Sequence, residues 1–285
     1  MLQAFFRLGC LALLAALPAI SHPQAGRAPL EVTYIANEGF LLTIPQADLP
    51  GRTAINPEKV IIDGLFREGV EGYAVVPPTR RDEVETARPP FDAAKLVLVS
   101  HHHADHFDAA AVARYLVHNF RAVLVSSPQV CDAVAEQLND DVILRNRVRK
   151  VSPQGDRPVS VTIEGITVQA YRVSHGSGRH AQVQNLGHLV TLGGWKILHI
   201  GDSDADELEL KSFGWAKEKI DVAFIPFWYL ADKKGSEAIK RHVRARIVVA
   251  MHIPPEEVDQ RAAEIRAFFP DAIIFAQPFE TMTFQ

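Results

Sequence analysis

Residues 100–106 read Ser-His-His-His-Ala-Asp-His and follow directly on the apolar run Leu96–Val99. Imidazole and carboxylate are ordinary ligands for zinc and other divalent first-row metals. His101 and His103 lie two apart, so an extended backbone points both side chains the same way. Asp105 and His106 follow on a turn, where neighbouring side chains diverge. The spacing can therefore serve two adjacent metals, one through His101 and His103, the other through Asp105 and His106. His102 has the opposite parity and is expected to point away.

Such a site needs further ligands from distant strand ends. Three polar residues stand just beyond apolar runs: His175 in YRVSHG, Asp202 in ILHIGDSD and His252 in VVAMHIPP. That repeated placement is what a site assembled along one rim of a sheet requires. His199, three residues before Asp202, can hydrogen-bond behind the ligands or simply sit satisfied in the core. His180 and His188 follow His175 closely in sequence and are candidates to contact substrate. Trp228 and Tyr229 follow a strand and can either pack the core or wall the pocket. His118 and His242 fall on helical patterns at surface positions. Asn37-Glu38-Gly39 reads as a tight hairpin turn.

The elements that must position these residues are mostly short and β-branched. Strands are expected at 31–36, 39–44, 59–63, 95–100, 122–127, 159–165, 167–174, 186–193, 196–201, 221–227, 246–252 and 272–277. Helices are expected at 108–119, 128–138, 205–213, 235–244 and 255–268. Early strands pair as hairpins and later ones alternate with helices, which suggests two sheets with helices packed outside them. Residues 75–90, bracketed by proline pairs, read as a loop. The basic run 145–150 reads as a solvated edge.

Composition narrows the function. With 285 residues, 47% hydrophobic, the chain can bury a sizeable core, and a formal charge of −4 gives no general affinity for nucleic acid. Residues 1–21 carry Arg7 ahead of a short apolar stretch and end in Ala19-Ile20-Ser21, the pattern of a secretory signal. The expectation is export to the periplasm or medium, cleavage before His22, and no stable membrane anchor. Cleavage would remove Cys10 and leave Cys131 alone, so no intrachain disulfide could form.

These motifs resemble the metallo-β-lactamase superfamily over nearly all of the chain beyond residue 21. The signature stands here as His101 to His106, with His175, Asp202 and His252 in the expected order. Asp63 matches the early aspartate that buttresses the site without binding metal. The resemblance implies a single α/β domain over 22–285, a four-layer αββα sandwich with a two-metal centre at one edge. It implies that His101, His103 and His175 bind one ion, that Asp105, His106 and His252 bind the other, and that Asp202 bridges them. It also implies that Asp105 orients the attacking hydroxide. Two ions roughly 3.5–4 Å apart can present a shared hydroxide at neutral pH and polarise the substrate. Zinc is the first expectation, and manganese or iron suit the same ligands.

The bridging Asp202 departs from the β-lactamases, which generally lack it. The segment 185–204 looks most like the branch of ascorbate-phosphate lactonases and N-acyl-phosphatidylethanolamine phosphodiesterases. The expected activity is hydrolysis of a small-molecule ester, lactone or phosphodiester. The alternative is a metal-binding or sensing protein on the same fold without turnover. Sequence leaves the oligomeric state open.

Overall fold

The computed structural model describes residues 27–45, 57–138 and 141–285. The signal-like segment 1–21 and its Cys10 lie outside them. The strands of the first half are β1 (Leu30–Ala36), β2 (Gly39–Ile44), β3 (Glu58–Ile62), β4 (Leu96–Leu98), β5 (Val123–Ser126) and β6 (Val148–Lys150). Those of the second half are β7 (Val159–Ile163), β8 (Ile166–Arg172), β9 (Leu186–Leu192), β10 (Trp195–His199), β11 (Val222–Pro226), β12 (Ile247–Met251) and β13 (Ile273–Ile274), and β14 (Thr281–Phe284) follows last. Helices are α1 (Pro78–Glu85), α2 (Ala109–His118), α3 (Pro128–Gln137), α4 (Val142–Arg145), α5 (Glu207–Ser212), α6 (Phe227–Leu230), α7 (Lys233–His242) and α8 (Val258–Phe268).

The strands form two seven-stranded sheets, ordered β14-β1-β2-β3-β4-β5-β6 and β13-β12-β11-β10-β9-β8-β7. The halves mirror one another in construction. Antiparallel hairpins start each sheet, and β3-β4-β5-β6 and β10-β11-β12-β13 continue it in parallel. Parallel strands need crossovers, and these place helices on the sheet faces. That explains why β4 and β11 are buried along their whole length, while β7 alternates between half-buried and exposed residues. The sheets meet face to face through Phe40 and Phe224, with ring centroids 4.3 Å apart, and through Tyr34 stacked on Phe275. Four helices start on aspartates whose carboxylates accept from the first turn: Asp108 for α2, Asp141 for α4, Asp206 for α5 and Asp232 for α7.

Twelve expected strands and five expected helices appear within a few residues of their positions. The stretch 75–90 differs, because it carries α1. Its prolines start the helix rather than prevent it: Pro77 is the N-cap and Pro78 stands at the first helical position, where a missing N–H costs nothing. Val84 and Glu85 anchor the helix to the body. The basic run 145–150 contains the three residues of β6, at the edge of its sheet.

Candidate metal centre

Strands β3, β4, β8, β10 and β12 all end at one rim, and the residues just past their carboxyl ends converge there. From β3 comes Asp63, from β4 the run His101–His106, from β8 His175, from β10 Asp202 and from β12 His252. Their local backbone is specialised. Asp63 and His252 adopt positive φ of 46° and 61°, a conformation that non-glycine residues pay for and that clusters at functional sites. Gly201 turns the chain into Asp202 at φ 53°, and a Cβ there would fall 2.4 Å from Asn185 Oδ1 and 2.7 Å from Ser100 Cβ. Only glycine lets Asp202 approach so closely.

Two ligand groups form. In the first, His101 Nε2, His103 Nδ1 and His175 Nε2 make a triangle with sides of 3.0, 3.1 and 3.2 Å. Asp202 Oδ2 lies 3.8 Å from His101 Nε2 and 3.6 Å from His175 Nε2. Three nitrogens facing one another cannot all be satisfied by sharing protons. Their spacing is close to the ~3.3 Å edge of a tetrahedron with metal–nitrogen bonds of about 2.0 Å. In the second group, Asp202 Oδ1 is 3.2 Å from both His106 Nε2 and His252 Nε2, and Asp105 Oδ2 is 3.3 Å from His252 Nε2 and 3.6 Å from His106 Nε2. His106 Nε2, His252 Nε2 and Asp202 Oδ1 are buried without a well-formed hydrogen bond. Orphaned polar atoms pointing at a common centre are costly unless something occupies it. The residues therefore form two candidate metal-binding groups, with one oxygen of Asp202 facing each.

The layer behind fixes these rings. Asp63 is fully buried: Oδ1 accepts from the Ser100 backbone N–H at 2.7 Å, and Oδ2 lies 2.5 Å from Ser100 Oγ and 3.0 Å from His106 Nδ1. Ser100 Oγ also meets His101 Nδ1 at 3.0 Å. One carboxylate thus sets the orientation of a histidine in each group. Asn37 donates through Nδ2 to both the backbone oxygen and Oδ2 of Asp105, each at 3.2 Å, so the turn between β1 and β2 does more than reverse the chain. His199 Nε2 donates to the Glu38 carbonyl at 3.0 Å, and its Nδ1 accepts from the N–H of Gly201, which anchors the approach to Asp202.

Charges in the site are strongly coupled. Burial alone would lower His252, but the Asp202 and Asp105 carboxylates outweigh it and raise it to about 10. Burial likewise opposes protonation of His106, yet Asp202 and Asp63 hold it well above its ordinary value. His175 goes the other way, lowered to about 4 mainly by burial. Asp202 resists the effect of its own burial because His106 and His252 pull it well below the usual carboxylate range. Bound cations would take over the role that these ring protons play.

The other candidates divide. His102 is exposed, as its parity requires. His180 stacks on His175 at 5.1 Å and meets His103 edge-on at 5.4 Å. Trp228 packs edge-on to His252 at 5.3 Å and donates through Nε1 to the Ser203 carbonyl. Tyr229 is buried, its hydroxyl bonded to Ser203 and Ala205, which makes it a support under the site rather than a wall of it. His188 is fully buried on β9 opposite His199, where no substrate in the mouth could touch it; strand pairing, not proximity in sequence to His175, decides its place.

Two residues escaped sequence reasoning. Glu38 is fully buried with both carboxylate oxygens unpartnered and Oε2 3.6 Å from His106 Nδ1, and burial, then Asp202, drives its pKa well up. A charged residue in a turn between two apolar strands was the available signal. Tyr73 lies edge-on to His252 at 4.3 Å and comes from a loop with no pattern of its own.

The chain belongs to the beta-lactamase superfamily: the family's domain matches residues 59–268. A UPF0173 metal-dependent hydrolase of Thermoplasma acidophilum is 26% identical over 163 residues, which cover 55% of this chain and 64% of that protein. Another UPF0173 metal-dependent hydrolase, from Thermococcus kodakarensis, is 27% identical over 236 residues, 79% of this chain and 92% of the relative. Among solved structures, the metallo-beta-lactamase fold protein YhfI of Bacillus subtilis superposes with a TM-score of 0.57 at 16% identity, covering 89% of this chain and 99% of its own. The two packed sheets with outer helices are thus the αββα sandwich of that fold.

Proposed function

We propose that this protein is a two-metal hydrolase acting on an ester, lactone or phosphodiester of a small molecule, exported after removal of residues 1–21. The observation that carries this reading is the division of Asp202, one oxygen toward each of two complete ligand groups. The names of the UPF0173 relatives support metal-dependent hydrolysis. When bound, such an ion pair makes water acidic enough to attack near neutral pH and stabilises charge developing on the substrate oxygen.

The protein's own contribution is positional. Asp105, held through Oδ2 by Asn37 and set beside His252, is positioned to orient the attacking water. Asp63 and Ser100 hold the imidazoles behind the site. Tyr73 and Trp228 present ring edges on the His252 side, so an apolar part of the substrate is received there. No side-chain nucleophile is required: Ser203 is fully buried and bonded to Tyr229.

The test is metal content by plasma mass spectrometry on protein purified without chelator. Close to two ions per chain is expected, falling to one or fewer in Asp202→Ala, with chelator abolishing turnover of ester and phosphodiester probes and zinc or manganese restoring it. A chain that stays metal-free when both metals are supplied would sink the mechanism. Two bound ions with no turnover of any probe would favour a sensing role.

A further inference from the structure

We infer that a cavity between the start of α3 and the end of β8, on the side of the sheets that carries the candidate metal ligands, is a binding subsite for an oxyanion, a carboxylate or phosphate group. It has a volume of about 250 Å³ and is bounded by Ser127, Ser152, Gln154, Arg172 and Gln184 among others. Three observations converge on it.

The first is Arg172. Its guanidinium makes no hydrogen bond or ion pair among the described residues, and Nη1 is buried without a partner. A buried donor of a charged fork is costly to leave unmatched, and the fork's geometry suits two oxygens of one carboxylate or phosphate. Burial depresses the guanidinium's pKa, with Glu209 the carboxylate whose charge opposes this. Glu209 does not line the cavity; its Oε1 is occupied by the Ser174 N–H.

The second is Ser127, which is 1% exposed and whose Oγ has no partner. It is the N-cap residue of α3, a ten-residue helix, yet its side chain does not cap. The hydroxyl is left to the cavity, at the positive end of the helix. Gln129 and Gln184 bond reciprocally through their backbone N–H groups and side-chain oxygens, at 3.1 and 2.8 Å, and tie the two halves of the sandwich together at this point.

The third is the balance of charge. The lining holds one cation and several neutral polar groups, and no carboxylate. The cavity lies at the same carboxyl-end side of the sheets as the candidate ligands: Ser127 follows β5, the neighbour of β4, and Arg172 ends β8 three residues before His175. Resting on the hydrolase reading, the oxyanion is the far end of the substrate; a free anion has the same chemistry.

The experiment is calorimetric titration of inorganic phosphate into the full metal-loaded protein. Binding is expected to weaken roughly tenfold or more in Arg172→Gln, less in Arg172→Lys, and measurably in Ser127→Ala, since hydrogen bonds to charged groups are the strong ones. It should persist in Asp202→Ala. Circular dichroism and metal content equal to the parent establish that the variants fold, and the lysine variant covers the case in which the glutamine variant does not. Equal phosphate affinity in parent and both Arg172 variants would overturn the inference, as would binding lost only in Asp202→Ala. Two ester probes, alike except for a terminal carboxylate, then separate the sources. A KM raised roughly tenfold by Arg172→Gln for the charged probe alone assigns the oxyanion to the substrate. Unchanged KM for both, with phosphate binding lost, assigns a free anion. Absence of turnover defeats the hydrolase reading and leaves the phosphate result standing.

Discussion

At the scale of single residues, the site shows a division of labour between groups that would touch metal and groups that hold them still. Asp63 belongs to the second kind, yet it reaches both ligand groups, His106 directly and His101 through Ser100. Asp63→Asn keeps the shape and removes the charge that orients both rings. Loss of such a partner typically costs about 10- to 100-fold in metal affinity. Competition against a chromophoric chelator should show a weakening of that order, with the number of ions bound at saturation unchanged. The residues that gather at the rim were legible in sequence because imidazoles and carboxylates stranded beyond apolar runs have few structural reasons to be there. Glu38 and Tyr73 were not, because what makes them notable is what they face across the fold. His188 failed for the same reason: adjacency in sequence to His175 says nothing of a strand that carries it into the core.

At the scale of elements, most strands announced themselves through β-branched apolar runs. The two missed strands, β6 and β14, are short edges whose residues are mostly exposed or half-buried, so they carry little hydrophobic pattern. Helix α1 was hidden by prolines that mark its start. Its attachment is ionic as much as apolar. Glu85, 3% exposed at its side chain, receives Nε and Nη2 of Arg67 at 2.7 Å each and Nη1 of Arg114 at 3.1 Å. Burial pushes the Glu85 pKa up, but the two guanidiniums outweigh it and the net shift is downward from 4.5. A carboxylate with a depressed folded pKa contributes stability above its unfolded value, and that contribution is lost as pH falls through the folded one. Arg67→Met should therefore cost about 2 kcal/mol near neutral pH. Urea denaturation should show the gap between parent and variant narrowing as pH drops below 4.5.

At the scale of the whole molecule, the candidate metal centre sits where both sheets present the ends of their strands, so ions bound there would fasten one half of the sandwich to the other. His175, Asp202 and His252 come from one sheet and His101–His106 from the other. A ligand that binds only the folded state stabilises it in proportion to the logarithm of its excess, about 4 kcal/mol at a thousandfold excess over Kd. Stripping the metal with chelator should lower the melting temperature by several degrees, and the shift should shrink in Asp202→Ala, as scanning calorimetry would show.

The last strand, β14, pairs with β1 at the outer margin of the first sheet, Leu30 opposite Phe284 and Thr33 opposite Thr281. The backbone of Tyr34 is bonded on both sides by Phe279 and Glu280. Until β14 pairs with it, β1 keeps one flank open, and the two strands are separated by nearly all of the described residues. A bare flank of that kind invites pairing with the wrong chain. The burden of keeping the unfinished fold from sticking to its neighbours thus falls on the four residues Thr281–Phe284, far in sequence from His101–His106.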